Sequence, residues 1–87
     1  MINMRRIVME ERVMHLIAEV QGEPDGEYIY REGIQLNEDY LFDSLRVVEF
    51  ISRIEDEFGF EFNLDEFDID SIYDLDSVIA TIKNETN

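Results

Sequence analysis

Residues 43–59 read DSLRVVEFISRIEDEFG, and how this stretch closes on itself decides the fold. Stepping about 100° per residue, Val47, Phe50, Ile51, Ile54 and Phe58 fall within one arc, the stripe that an amphipathic helix turns towards a core. Asp43 stands where an N-cap accepts a hydrogen bond from an otherwise unpaired backbone N–H. Gly59 stands where helices end on a left-handed residue. The spacing therefore predicts a helix over 44–58. Ser44, Leu45, Val48, Glu49, Ser52, Glu55 and Asp56 share the arc beside the core stripe. Two apolar residues, Leu45 and Val48, thus sit among acids next to the serine that opens the helix. Such residues suit a partner-binding patch. They suit equally well scattered surface positions or positions covered by the preceding loop, and the spacing alone leaves these readings open.

Working outward, Ile7, Met9, Val13, Met14, Leu16, Ile17 and Val20 recur at helical spacing and predict a first helix over 4–20. Gly22, Pro24 and Gly26 stop it. Residues 22–43 keep no period, yet Tyr28, Ile29, Tyr30, Ile34, Leu36, Tyr40, Leu41 and Phe42 are apolar enough to pack down. A loop this long is uncommon in a small domain, so we expect it to lie on the core with a helical turn in it. Tyr28-Ile29-Tyr30 could form a short strand but has no evident pairing partner. Beyond Gly59, residues 68–73 suit a short third helix. A last helix, capped by Asp74 or Asp76 and running to about Lys83, carries Leu75, Val78, Ile79 and Ile82 on its inner face.

The 87 residues suit a single domain, residues 1–87, with one small core; a chain this short buries only about 60% of its unfolded surface. Twenty-two acids against seven lysines and arginines give a formal charge of −15. That charge disfavours nucleic acid and anionic membranes as partners and steers the chain towards basic patches on other proteins. The absence of cysteine excludes disulfides and thiolate metal sites. No apolar run approaches the ~20 residues of a membrane span, and residues 1–10 lack the pattern of a secretion signal. A cytoplasmic protein, monomeric by default, is the expectation.

Asp43-Ser44-Leu45, opening an amphipathic helix that continues Val48-Glu49 and ends Glu55-Asp56-Glu57-Phe58, resembles the acyl carrier proteins. The likeness extends to length, acidity, a serine about halfway along, and a closing stretch from Phe67 to Ile82 like their third and fourth helices. It implies an all-α fold: a small four-helix bundle with a long loop between the first and second helices and a short third helix. It implies that Ser44 receives 4′-phosphopantetheine from coenzyme A through a phosphopantetheinyl transferase, with Asp43 capping the helix and helping that enzyme recognise the serine. The arm's thiol would then hold an acyl or aminoacyl group as a thioester, loaded by a ligase and presented to downstream synthases or transferases. The resemblance assigns Leu45, Val48, Glu49, Ser52, Glu55 and Asp56 to the partner face and suggests that an acyl chain can lie between helices. A phosphodiester on Ser44 would meet the positive end of a helix, which favours an anion by ~0.3–1 kcal/mol.

The chain also departs from the family. Members often carry Gly one residue before the Asp, where this chain has Phe42 with Leu41 ahead of it. Arg46 stands where fatty-acid carriers often have an acid, and Ser52 where they often have Met. Arg46 and Arg53 fall together on the far side of the recognition arc. These departures favour a carrier dedicated to a specialised pathway, such as polyketide or nonribosomal peptide synthesis, over the housekeeping carrier of fatty acid biosynthesis. The Leu41-Phe42-Asp43-Ser44 run is similar to the matching segment of the carrier of the D-alanine transfer system.

Other residue patterns carry less. The acids Asp65, Asp68, Asp70, Asp74 and Asp76 fail the spacing of a calcium loop, since Ile72 and Tyr73 stand where a ligand and a glycine belong counting from Asp68. His15, the one histidine, has no neighbouring partners for metal or catalytic work. Met1, Met4, Met9 and Met14 suit the start and the core, and Phe58, Phe60, Phe62 and Phe67 a core junction. No constellation supports an enzyme. The alternative to a modified carrier is an unmodified, carrier-like acidic module that binds partners through the second helix.

Overall fold

The computed structural model describes residues 4–63, 65, 68 and 70–86, without the side chains of residues 4–8. Its helices are α1 (Met4–Val20), α2 (Leu36–Asp39), α3 (Ser44–Phe58) and α4 (Leu75–Thr86), with a 3-10 turn at Ser71–Tyr73. The chain is thus an all-α bundle, as expected, and its described residues form no strand. Expected helix positions at Phe67 and Ile69 lie outside the described residues.

Apolar periodicity places the core. Val13, Met14, Leu16 and Ile17 of α1 meet Val47, Phe50, Ile51 and Ile54 of α3 and Leu75, Val78, Ile79 and Ile82 of α4, all buried. Each such side chain contributes roughly 1.5–3 kcal/mol by leaving water. No polar side chain is buried among the described residues. The helix α3 ends as its sequence predicts: Gly59 is left-handed at φ 74° and its N–H donates to the Glu55 carbonyl at 2.9 Å.

The long loop does lie on the core, and α2 is the helical turn expected within it. Ile34, Leu36 and Phe42 are buried, and the Phe42 ring meets Phe50 edge-on at 5.8 Å. Tyr28 stacks on Tyr40 with centroids 5.2 Å apart. Two loop residues depart from the expectation that they pack down: Ile29 is 77% exposed and Leu41 81%. The loop is tied to α4, with the Leu75 N–H donating to the Ile34 carbonyl and a bridge joining Gln35 to Asp74. Asp74 sits at the cap position of α4 and accepts from the Ser77 hydroxyl at 2.9 Å. Asp76, the other candidate cap, instead accepts from the Tyr30 hydroxyl at 2.6 Å and the Gly33 N–H at 2.9 Å. That hydrogen bond, with burial, pushes the Tyr30 phenol up to about 12.

Leu41 is the one described non-glycine residue at positive φ, 59°. Its neighbours explain why. The Tyr40 carbonyl accepts from the Gln21 amide at 2.8 Å, and the Phe42 N–H donates to the Leu36 carbonyl at 3.0 Å. Both flanking rings pack against the molecule, and the chain reverses between them at Leu41. A left-handed backbone costs an L-residue roughly 1–2 kcal/mol. The backbone that favours glycine therefore falls at Leu41, not at Phe42.

Candidate functional site

The site is built on the first turn of α3. Asp43 is extended (φ −100°, ψ −177°), and its carboxylate accepts from the Arg46 N–H at 2.9 Å. Its carbonyl accepts from the Val47 N–H at 3.0 Å. A cap of this kind contributes about 1 kcal/mol. It leaves the N–H groups of Ser44 and Leu45 without an acceptor among the described residues, at the positive end of a helix spanning 15 residues. Ser44 itself is exposed.

The outer strip of α3 answers the question that spacing left open. Leu45 is 75% exposed and Val48 58%, so the preceding loop does not cover them. Ser52 and Asp56 are exposed on the same strip, and the Asp56 carboxylate has no partner among the described residues. The other two acids assigned to this face are engaged. Glu49 accepts from Arg53 at 3.2 Å and 3.3 Å. Glu55 is half-buried and accepts from the Phe62 N–H at 2.8 Å, which pins the segment after Gly59 against the helix. Glu55 thus organises the fold beside the strip instead of presenting a free charge.

Arg46 and Arg53 do turn away from the strip, and the structure supplies their destination. Arg46 Nη1 donates to Gln21 Oε1 at 2.7 Å, and Arg53 Nη1 to Glu19 at 3.0 Å. Both bonds reach the α1 side. An open hollow of about 240 Å³ lies along this seam, lined by Leu16, Glu19, Arg53, Asp56 and Glu57. With one apolar residue among four charged ones, that hollow is unsuited to an acyl chain. His15 is 40% exposed and sits 3.2 Å from Glu19, a surface pairing. The acids once weighed for calcium have local work as well, Asp68 accepting from the Ser71 N–H and Asp74 from Ser77.

Leu41 stands exposed close to Ser44 in sequence, and spacing did not reveal that. It lies three positions before Ser44, at most about 11 Å of chain. The available signal was an apolar residue just ahead of a capping Asp, in a turn that has to reverse.

The small acidic bundle thus presents the Ser44 hydroxyl, exposed, at the capped start of α3. A family model, the phosphopantetheine attachment site, matches residues 11–79. The chain belongs to that family, the domain on which 4′-phosphopantetheine is covalently attached. It is therefore a phosphopantetheine-dependent carrier, of a kind that works with a phosphopantetheinyl transferase and biosynthetic enzymes and is generally not catalytic itself. Searches of curated proteins and of solved structures found no significant match.

The residues present fit the arm. An exposed hydroxyl can be reached by an enzyme, and a phosphodiester on Ser44 would lie at the N-terminal end of α3, where a helix favours an anion. When attached, the arm supplies the thiol that a chain without cysteine lacks. No described helix is long and apolar enough to cross a membrane.

Proposed function

We propose that Ser44 is the attachment residue and that residues 1–87 form one monomeric, cytoplasmic carrier domain. The arm holds an acyl or aminoacyl group as a thioester and presents it to partner enzymes of a specialised biosynthetic pathway. In loading, the Ser44 Oγ attacks the phosphorus of coenzyme A that bears the pantetheine. A phosphodiester forms, the pyrophosphate bond breaks, 3′,5′-ADP leaves, and the serine proton passes to a base of the transferase. Asp43 holds the helix start, so that Ser44 is presented at a fixed corner. The exposed strip of Ser44, Leu45, Val48, Ser52 and Asp56 is the face a partner covers, with Glu49 at its edge. Tethering then raises the cargo's effective concentration at each partner site.

The observation carrying this reading is the exposed Ser44 at the capped N-terminus of α3. Phe42, Arg46 and Ser52, which depart from fatty-acid carriers, support the specialised pathway. The test is intact mass after incubation with coenzyme A and a broadly accepting phosphopantetheinyl transferase, beside Ser44→Ala. We expect the wild type to gain one phosphopantetheine and the variant none. A folded wild type left unmodified by several transferases would favour an unmodified module that binds through α3.

A further inference from the structure

Leu41 combines two costs with no return inside the chain. Its backbone is left-handed at φ 59°, a conformation that side chains other than glycine adopt at a penalty. Its side chain is 81% exposed, the most exposed large apolar residue among those described. A glycine or asparagine would satisfy the same turn without either cost. Strain in a solvent-facing residue points to work done outside the fold.

The surroundings say what that work is. Phe42 anchors the chain to Phe50 of α3 at 5.8 Å, so the turn at Leu41 lies against the N-terminal half of that helix. Leu41 precedes Ser44 by three residues, Leu45 follows it directly, and Val48 lies one turn further along. These three apolar side chains, 81%, 75% and 58% exposed, flank the serine on both sides. An enzyme that reaches the Ser44 hydroxyl has to cover them. Glu38, three residues before Leu41, is an exposed acid whose side chain has no partner among the described residues, while Arg46 is held against Gln21. The fitting occupant is an apolar pocket with a basic rim.

We infer that Leu41 is a docking anchor, held out by its strained turn, for the phosphopantetheinyl transferase that modifies Ser44. This rests on the reading of Ser44 as the attachment residue. The left-handed backbone fixes where the side chain projects, so the leucine is ordered before the encounter and loses little freedom on binding. Leu41 acts by positioning the carrier and takes no part in the chemistry.

The test measures stability and loading kinetics of the full chain with Leu41→Gly and Leu41→Met. For Leu41→Gly we expect Tm to hold or rise by a few degrees, because relief of the strain outweighs the freedom that glycine adds to the unfolded chain. We expect its KM for loading to rise about tenfold with kcat little changed, the loss of one buried leucine. Leu41→Met, apolar and of similar volume, should keep KM within about twofold. A fall in Tm for Leu41→Gly, or an unchanged KM, overturns the inference while leaving Ser44 as the attachment residue. A wild type that takes no arm removes both. A concentration-dependent dimer in ultracentrifugation that disappears in Leu41→Gly would put a second copy of the chain on this patch and also overturn it.

Discussion

The two flanks of α3 treat charge in opposite ways. Towards α1, the basic side chains are engaged: Arg46 reaches Gln21, Arg53 bridges Glu19 and Glu49, and Glu57 accepts from Arg12 at 2.8 Å and 2.9 Å. On the outer strip, Leu45 and Val48 are bare, and Asp56, where the strip borders the seam, has no partner among the described residues. Exposed ion pairs of this kind contribute little to stability, about 0–1 kcal/mol each. Their effect here is on where charge is left over. Arg31 pairs with Asp39 and Lys83 lies 3.9 Å from Glu10, so Arg12, Arg31, Arg53 and Lys83 each face a carboxylate, while Arg46 meets the neutral Gln21 amide. A formal charge of −15 therefore reaches partners as an unbalanced negative field around an apolar strip, which steers encounters with basic surfaces.

Adjacent valines give the sharpest way to break this comparison. Val47 is 3% exposed and Val48 58%. Val47→Ala should cost about 2 kcal/mol through lost transfer energy and the cavity it leaves, read as a lower urea midpoint with an unchanged slope. Val48→Ala should stay within about 0.5 kcal/mol. For loading of Ser44 the order should reverse: Val48→Asp weakens kcat/KM roughly tenfold while the still-folded Val47→Ala loads normally. Equal stability losses for Val47→Ala and Val48→Ala would mean that the outer strip is covered in solution.

A smaller effect is expected in the seam. Arg53→Glu sets a carboxylate facing Glu19 and one turn from Glu49, removing two exposed pairs and adding like-charge repulsion. The expected loss is about 1 kcal/mol at low salt. At 1 M salt, where the Debye length is about 3 Å, most of it should return. A loss that ignores salt would show that Arg53 supports α1 and α3 by packing its stem and not through its charge.

These contrasts separate what was legible in the sequence from what was not. The limits of α3 could be read because Asp43 and Gly59 act locally, each through the backbone of its own helix. The limits of α1 followed for the same reason. Helix α4 runs to Thr86, past the expected Lys83, since no glycine or proline stops it and Thr86 bonds back to the Ile82 carbonyl. What resisted reading depends on elements brought together from afar. A helical wheel puts Glu55 on the outer arc, but the chain after Gly59 returns and claims its carboxylate. Asp76 suits a cap until the loop at Tyr30 and Gly33 reaches it. The wheel groups Arg46 with Arg53 without saying that α1 lies opposite. Leu41 is left-handed because Tyr40 and Phe42 both turn inward, a condition set by Gln21, Tyr28, Leu36 and Phe50 together. Ser44 was readable because its exposure follows from its place at the capped start of a helix.

The finest contrast sets Glu57, paired with Arg12, against its sequence neighbour Asp56, which borders the same hollow but has no partner among the described residues. Hydrogen bonds from the Arg12 guanidinium, aided by its charge, hold the Glu57 carboxyl below the usual carboxylate range. A depressed folded-state pKa adds stability above the unfolded value of 4.5, and that contribution is lost as pH falls through the folded value. Removing any acid from so negative a chain also relieves repulsion, so Glu57→Gln alone mixes two effects. Asp56→Asn relieves the repulsion without breaking a pair and serves as the reference. Above about pH 5, Glu57→Gln should be less stable than Asp56→Asn by a few tenths to 1 kcal/mol, and the gap should close as the solution is taken towards pH 3. An Arg12→Ala background should abolish the gap at every pH. A gap that persists there would place the stabilising role of Glu57 in packing and dissolve the distinction between the two flanks.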